Sequence, residues 1–257
     1  MARYFIELSY EGTNYHGWQF QPNAITVQET LEKGLSLLLH QKIAVTGAGR
    51  TDTGVHASYY VAHFDLADST LENPEETRFR LNAMLPMDIS IHSIVPVNDE
   101  LHARFSATYR EYLYVIHKTK PIFKRPFSFY HYGELDVRIM NQACQALLNF
   151  RDFTSFSKLH TDVKTNNCTI MLARWEERID GYDFTIRADR FLRNMVRAIV
   201  GTMLDVGTGK LTVEQFADII EAKDRSNAGT SADAKGLFLT DIGYVIDLPY
   251  RRQLLSS

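Results

Sequence analysis

Gly47-Ala48-Gly49-Arg50-Thr51-Asp52-Thr53-Gly54-Val55-His56-Ala57 sets glycine, one carboxylate, one guanidinium and one imidazole between two apolar runs. Those runs, 42–46 and 58–66, read as strands, so the segment is the loop that joins them. Glycine lets such a loop turn tightly and lets a second stretch of backbone come close. A carboxylate on it, Asp52, can be held at the mouth of a cleft instead of being scattered on a surface.

Working outward, 4–10 reads as a strand, 27–39 as an amphipathic helix, and 74–84 as a second helix opening on Pro74, a good first-turn residue. A strand over 88–97 completes the order βαββαβ. The second half repeats it, with strands over 111–117, 168–178, 182–187 and 236–247 and helices over 137–150, 190–205 and 212–222. We therefore expect an α/β (α+β) protein of two ferredoxin-like, RRM-like halves around an antiparallel or mixed sheet, with a cleft between the halves. Residues 1–104 form the expected N-terminal βαββαβ lobe carrying Asp52, and 105–257 the C-terminal βαββααβ lobe. Order alone carries no function.

Composition narrows the field. With 257 residues, 45% of them hydrophobic and 23% charged, the chain is an ordinary globular protein. No window reaches the roughly 18 apolar residues of a spanning helix, and the N-terminus lacks a basic run followed by an apolar stretch, which predicts a cytoplasmic protein without membrane attachment. Cys144 and Cys168 form no CxxC pair, which argues against a structural zinc and a disulfide framework. A net charge of -3 argues against holding nucleic acid by bulk charge and leaves a local basic cleft open.

Three familiar motifs fail on spacing. Asp52-Thr53-Gly54 matches the D-T-G of aspartic proteases, which need two such carboxylates, and there is one. Gly47-Ala48-Gly49 follows a strand as a dinucleotide fingerprint would, but Asp52 stands at the third glycine and a strand follows where a helix is required. Gly207-Thr208-Gly209-Lys210 lacks phosphate-loop spacing, has Leu211 at the hydroxyl position and follows a helix, so it reads as a helix C-cap.

The eleven-residue segment resembles the signature of the TruA-type tRNA pseudouridine synthases. Further blocks resemble that family in order: Tyr10-Glu11-Gly12 through Gly17-Trp18-Gln19, Val27-Gln28, His102-Ala103-Arg104-Phe105-Ser106-Ala107-Thr108, Asp152-Phe153-Thr154-Ser155-Phe156, Asn194-Met195-Val196-Arg197 and Gly236-Leu237-Phe238-Leu239. The likeness spans nearly the whole chain. It implies an isomerase that detaches uracil from its ribose, rotates it and rejoins it through carbon, with no cofactor and no metal. It also implies a tRNA substrate modified at uridines 38 to 40 of the anticodon stem-loop (tRNA numbering), and a homodimer in which one RNA contacts both subunits. Recognition of a stem by shape and backbone would suit several neighbouring target positions.

Residue by residue, the resemblance makes Asp52 the catalytic nucleophile, a role that suits a carboxylate able to form a covalent adduct and split a hard step in two. Arg197 matches the family's active-site basic residue and would keep Asp52 ionised. Tyr112, in Arg110-Glu111-Tyr112-Leu113-Tyr114, stands where the family contacts the target base, by stacking and with a hydroxyl able to reach a proton in transit; Tyr112 and Tyr114 share a strand face, so a pair of core tyrosines is the alternative. Leu237 matches an apolar residue packing near the base, or is plain core. Arg50 would bind phosphate or help extrude the nucleotide. His56 reads as structural or RNA-contacting ahead of general base, and Trp18 as core or site.

At about 100° per residue, Arg190, Arg193, Asn194, Arg197 and Gly201 form one polar helical stripe. The run His117-Lys118-Thr119-Lys120 to Lys124-Arg125, broken by Pro121 and Pro126, reads as a basic loop, either phosphate-binding or merely solvated. Three positions depart from the family pattern: Glu111 and Leu113 stand where basic residues are common, and Asp233 where proline is usual. Two rivals are an RNA-binding or tRNA-chaperone protein of the same fold without turnover, and a hydrolase that releases free base.

Overall fold

Strand β1 (Ala2–Tyr10) pairs antiparallel with both β3 (His56–Leu66) and β4 (Ile89–Val97), and β2 (Val45–Gly47) pairs antiparallel with β3. The resulting order β4-β1-β3-β2 is the split βαβ arrangement. The structure is a computed structural model and describes residues 1–67, 70–158 and 165–256. Helices α1 (Val27–Leu39) and α2 (Pro74–Met84) occupy the two crossovers, each started by a local cap. Thr26 Oγ1 accepts the Glu29 N–H at 3.3 Å and Asn73 Oδ1 accepts the Glu76 N–H at 3.1 Å, each such cap contributing about 1 kcal/mol. Leu31 and Leu35 of α1 and Leu81 of α2 are buried with Phe5, Ile6, Leu8, Tyr59, Tyr60 and Phe64 from the strands.

The chain divides into two compact units, Met1–Thr108 with Leu239–Ser257, and Tyr109–Phe238. In the second, β5 (Tyr109–His117) pairs antiparallel with β8 (Gly181–Ala188), which pairs antiparallel with β7 (Ile170–Arg178). A short β6 (Phe129–Tyr130) runs parallel to β5, so the pairing is mixed. Helices α3 (Val137–Asn149), α4 (Met195–Gly207) and α5 (Val213–Glu221) complete this unit; β9 (Leu237–Gly243) straddles the division and α6 (Pro249–Ser256) returns to the first unit. The α/β class with mixed strand pairing is as the sequence predicts. Among the described residues no helix is long and apolar enough to cross a membrane.

Several boundaries differ for identifiable reasons. Strand β2 starts at Val45, not at residue 42, because α1 side chains take amides up to and including its first residue: Ser36 Oγ accepts the Ile43 N–H at 2.9 Å and a Glu32 carboxyl oxygen the Val45 N–H at 2.8 Å. Strand β7 starts at Ile170 because the Cys168 N–H donates to the Arg151 carbonyl at 2.8 Å and the Thr169 N–H to Asp189 Oδ1 at 2.8 Å. Strand β9 stops at Gly243, short of residue 247, and α6 lies where no helix was expected. The turn after α4 does behave as a C-cap: Gly209 has φ +74° and its N–H reaches the Val206 carbonyl at 3.0 Å.

Candidate active site

Asp52 sits, partly exposed, in the loop between β2 and β3, and the first unit holds that loop from several sides. The Trp18 N–H donates to the Thr51 carbonyl at 3.2 Å, the Gly54 N–H to the Tyr15 carbonyl at 3.4 Å, and the Gly12 N–H to His56 Nδ1 at 3.1 Å. Beneath it the Tyr60 hydroxyl donates to the Gly49 carbonyl at 2.5 Å, and Tyr10 Oη lies 2.9 Å from Thr51 Oγ1. Two glycines are required by this packing. A Cβ at Gly12 would run into the Val55 carbonyl, and one at Gly17, which has φ +86°, into the Thr51 carbonyl. The segment 12–18 is thus a clasp laid against 51–56.

This settles two open alternatives. His56 is 2% exposed and its Nδ1 is an acceptor for backbone, so it is a structural histidine. Trp18 is core, with its ring 4.2 Å from that of Tyr60. Arg50, two residues before Asp52, is exposed. Tyr15, which sequence reasoning passed over, anchors the clasp through its hydroxyl, which donates to Asp88 Oδ1 at 2.6 Å. Burial first, then Asp88, pushes that phenol well above its usual range.

The remaining sequence-predicted residues lie in the second unit. Arg197 is on the first turn of α4, where its Nε donates to the Ala232 carbonyl at 2.7 Å while the Ala232 N–H donates to the Arg197 carbonyl at 2.9 Å. Tyr112, in β5, is largely buried, with its ring edge-on to Phe191 at 5.2 Å. Tyr114 is fully buried and its hydroxyl donates to the Asp233 carbonyl at 2.9 Å, a core role. Leu237 opens β9 and is buried. Segment 230–236 therefore ties α4 to β5, through Arg197 on one side and Tyr114 on the other.

The polar stripe is not formed. Helix α4 starts at Met195, and Asn194 before it has φ +67°, so Arg190, Arg193 and Asn194 precede the helix. Gly201, assigned to the same stripe, is buried with the Thr230 carbonyl where its Cβ would be. An αL residue tolerated by asparagine is what separates the two stretches. The basic loop is only partly basic in effect, since Lys118 Nζ lies 2.6 Å from Glu177 and 3.1 Å from Glu134.

The departures have local accommodations. Glu111 pairs across the strands with Arg187 at 2.7 Å. Asp233 has φ -60°, inside the range proline imposes, and its Oδ1 accepts the Lys235 N–H at 3.2 Å. Cys144 and Cys168 are buried thiols pushed up to about 12, mainly by burial, so neither is a reactive thiolate. Among the described residues no group of three or more His, Cys, Asp or Glu could hold a metal ion.

Residues 8–106 and 143–245 match the family described as tRNA pseudouridine synthase. The chain is 52% identical over 248 residues to tRNA pseudouridine synthase A of Parabacteroides distasonis, covering 96% of this chain and 98% of that one. It is 54% identical over 252 residues to the protein of that name from Bacteroides thetaiotaomicron, covering 96% and 93%. The Bacillus subtilis protein of that name is 41% identical over 242 residues, covering 92% and 97%.

Proposed function

This chain belongs to the tRNA pseudouridine synthase family, and we propose that it isomerises uridine at positions 38, 39 and 40 of the tRNA anticodon stem-loop, with Asp52 as the nucleophile. At the coarser level it is an isomerase that forms pseudouridine in tRNA. In the proposed reaction the bond between uracil N1 and the ribose breaks, Asp52 holds a covalent adduct while the base turns, and a bond from C5 to the ribose forms as the adduct breaks; C5 then gives up its proton and N1 takes one up. Atoms and electrons balance within the nucleotide, so the chemistry calls for no cofactor. Tyr112 is assigned to stacking on the base, Leu237 to packing beside it, Arg197 to the charge of the site, and Arg50 to a phosphate. The enzyme is taken to act in the cytoplasm as a homodimer.

The observation that supports this reading best is the clasp on the Asp52 loop. Backbone bonds at Thr51 and Gly54, together with the buried Tyr10–Thr51 contact, hold one carboxylate in place while leaving it partly exposed. Preorganisation of this kind is what a nucleophile needs. Incubation with an unmodified tRNA transcript, followed by digestion and nucleoside analysis, tests it. Pseudouridine is the expected product; binding without pseudouridine would identify a silent RNA-binding protein, and free uracil a hydrolase.

A further inference from the structure

Residues 118–127 carry four cations and no carboxylate, in a chain whose net charge is -3. Lys118 is engaged within its own unit by Glu134 and Glu177, and its ammonium lies 4.7 Å from the Tyr182 ring. Lys120 and Arg125 are exposed. Lys124 reaches Asp180 only at 3.9 Å, with both side chains well solvated, a pairing of little strength. Interleaved with these cations, Ile122 is 79% exposed and Phe123 96% exposed.

The turn that presents them is fixed. The Lys124 N–H donates to the Pro121 carbonyl at 3.0 Å and the hydroxyl of buried Ser128 donates to the Lys124 carbonyl at 3.0 Å. Pro121 and Pro126 restrict the backbone on either side, and β6 immediately afterwards is paired to β5. An ordered turn thus holds an aromatic face and three cations out in water. An exposed flat ring among cations suits a polyanion that carries flat bases, because stacking tolerates any base and the cations meet the backbone.

We propose that this turn is a contact for the substrate RNA at a nucleotide other than the target uridine. The Phe123 ring stacks on an unpaired base, and Lys120, Lys124 and Arg125 meet the neighbouring phosphates. The assignment of RNA as the partner rests on the tRNA-modifying reading above; the exposure and rigidity of the turn do not.

The test measures tRNA affinity against salt concentration, and turnover at saturating tRNA, for wild type, Phe123→Ala, Phe123→Leu and the triple variant Lys120→Gln/Lys124→Gln/Arg125→Gln. Sedimentation of the same proteins reports their oligomeric state. Both Phe123 variants are expected to weaken binding by about tenfold, Leu included because it keeps bulk and loses the ring, with turnover at saturation unchanged. The triple variant is expected to flatten the salt dependence by about one unit of slope for each phosphate it no longer neutralises. Wild-type affinity and slope in all variants would overturn the proposal. So would variants that change oligomeric state at unaltered RNA affinity, which would make the turn an interface between copies. A wild type that binds tRNA without forming pseudouridine would refute the enzymatic reading and leave the affinities to decide the turn; one that binds no tRNA overturns both.

Discussion

Tyr10 Oη and Thr51 Oγ1 lie 2.9 Å apart in the buried floor of the loop, one residue before Asp52. Either truncation leaves the other hydroxyl without this partner in a site closed to water, at a cost of about 1–3 kcal/mol. Tyr10→Phe and Thr51→Val are each expected to lower stability by that order in urea denaturation. The double variant should cost less than the sum of the two, because the residues share one interaction. Turnover should fall by about tenfold with tRNA affinity retained, since the buried Tyr10–Thr51 contact positions Asp52 and neither hydroxyl is assigned to RNA.

Glu7 makes a second prediction. Its carboxyl group is fully buried and accepts from the Tyr59 hydroxyl at 2.8 Å, from the Ser93 hydroxyl, and from the Tyr250 and Arg251 backbone N–H groups at 2.9 and 3.0 Å. It therefore caps the start of α6 from the opposite end of the chain. Glu7→Ala is expected to cost at least about 2 kcal/mol and to speed amide exchange at Tyr250 and Arg251 ahead of β1 and β3. Unchanged exchange at those two amides would remove Glu7 from the role.

Glu7 also explains what the sequence hides. Helix α1 is legible because its apolar residues recur at helical spacing, and α2 because Pro74 marks its first turn. Helix α6 depends on a carboxyl group contributed by β1, and no local pattern carries that. The start of α4 was readable in principle, since asparagine is among the residues that accept φ above zero, but the cationic spacing around Asn194 imitates a helical face. The second division of the chain, at Phe238/Leu239, has no counterpart in the amino-acid pattern, because β9 reads as one uninterrupted strand. Around the candidate site, the glycine-flanked loop that carries Asp52 is legible as a connection between two strands. The clasp from residues 12–18 became visible only through contacts such as Gly17 against Thr51.

His63 should give acid sensitivity. Burial first, then Arg3 and His102, push its imidazole down to about 4, and the neutral ring accepts the Ala103 N–H at Nδ1 at 3.1 Å. The unfolded chain takes up this proton near the ordinary value of about 6.5, so between about 6.5 and 4 the unfolded state binds more protons than the folded one. Stability is then full above the upper value and lost as pH falls through the window. His92, His102, His117 and His131 are displaced in the same direction, mainly by burial, and add to the trend. Melting temperatures across this window should fall with acid, and His63→Gln should reduce the slope without abolishing it. An unchanged slope would contradict the assignment.

Tyr112 separates stacking from proton transfer. Tyr112→Phe keeps the ring against Phe191 and removes only the hydroxyl. It is expected to retain tRNA affinity within about twofold and to lose most turnover, on the order of tenfold to a hundredfold as for removal of a positioned proton-transfer group. Equal turnover would confine Tyr112 to stacking.

The central claim is that Asp52 carries the reaction at the anticodon stem. It is tested most directly by position-resolved mapping of pseudouridine in an unmodified tRNA bearing uridine at 38, 39 and 40, with enzyme in excess, comparing wild type with Asp52→Ala. The account predicts pseudouridine at those positions with wild type, and none with Asp52→Ala at undiminished tRNA binding. Pseudouridine formed by Asp52→Ala at the wild-type rate, or formed by wild type only at other uridines, would contradict it.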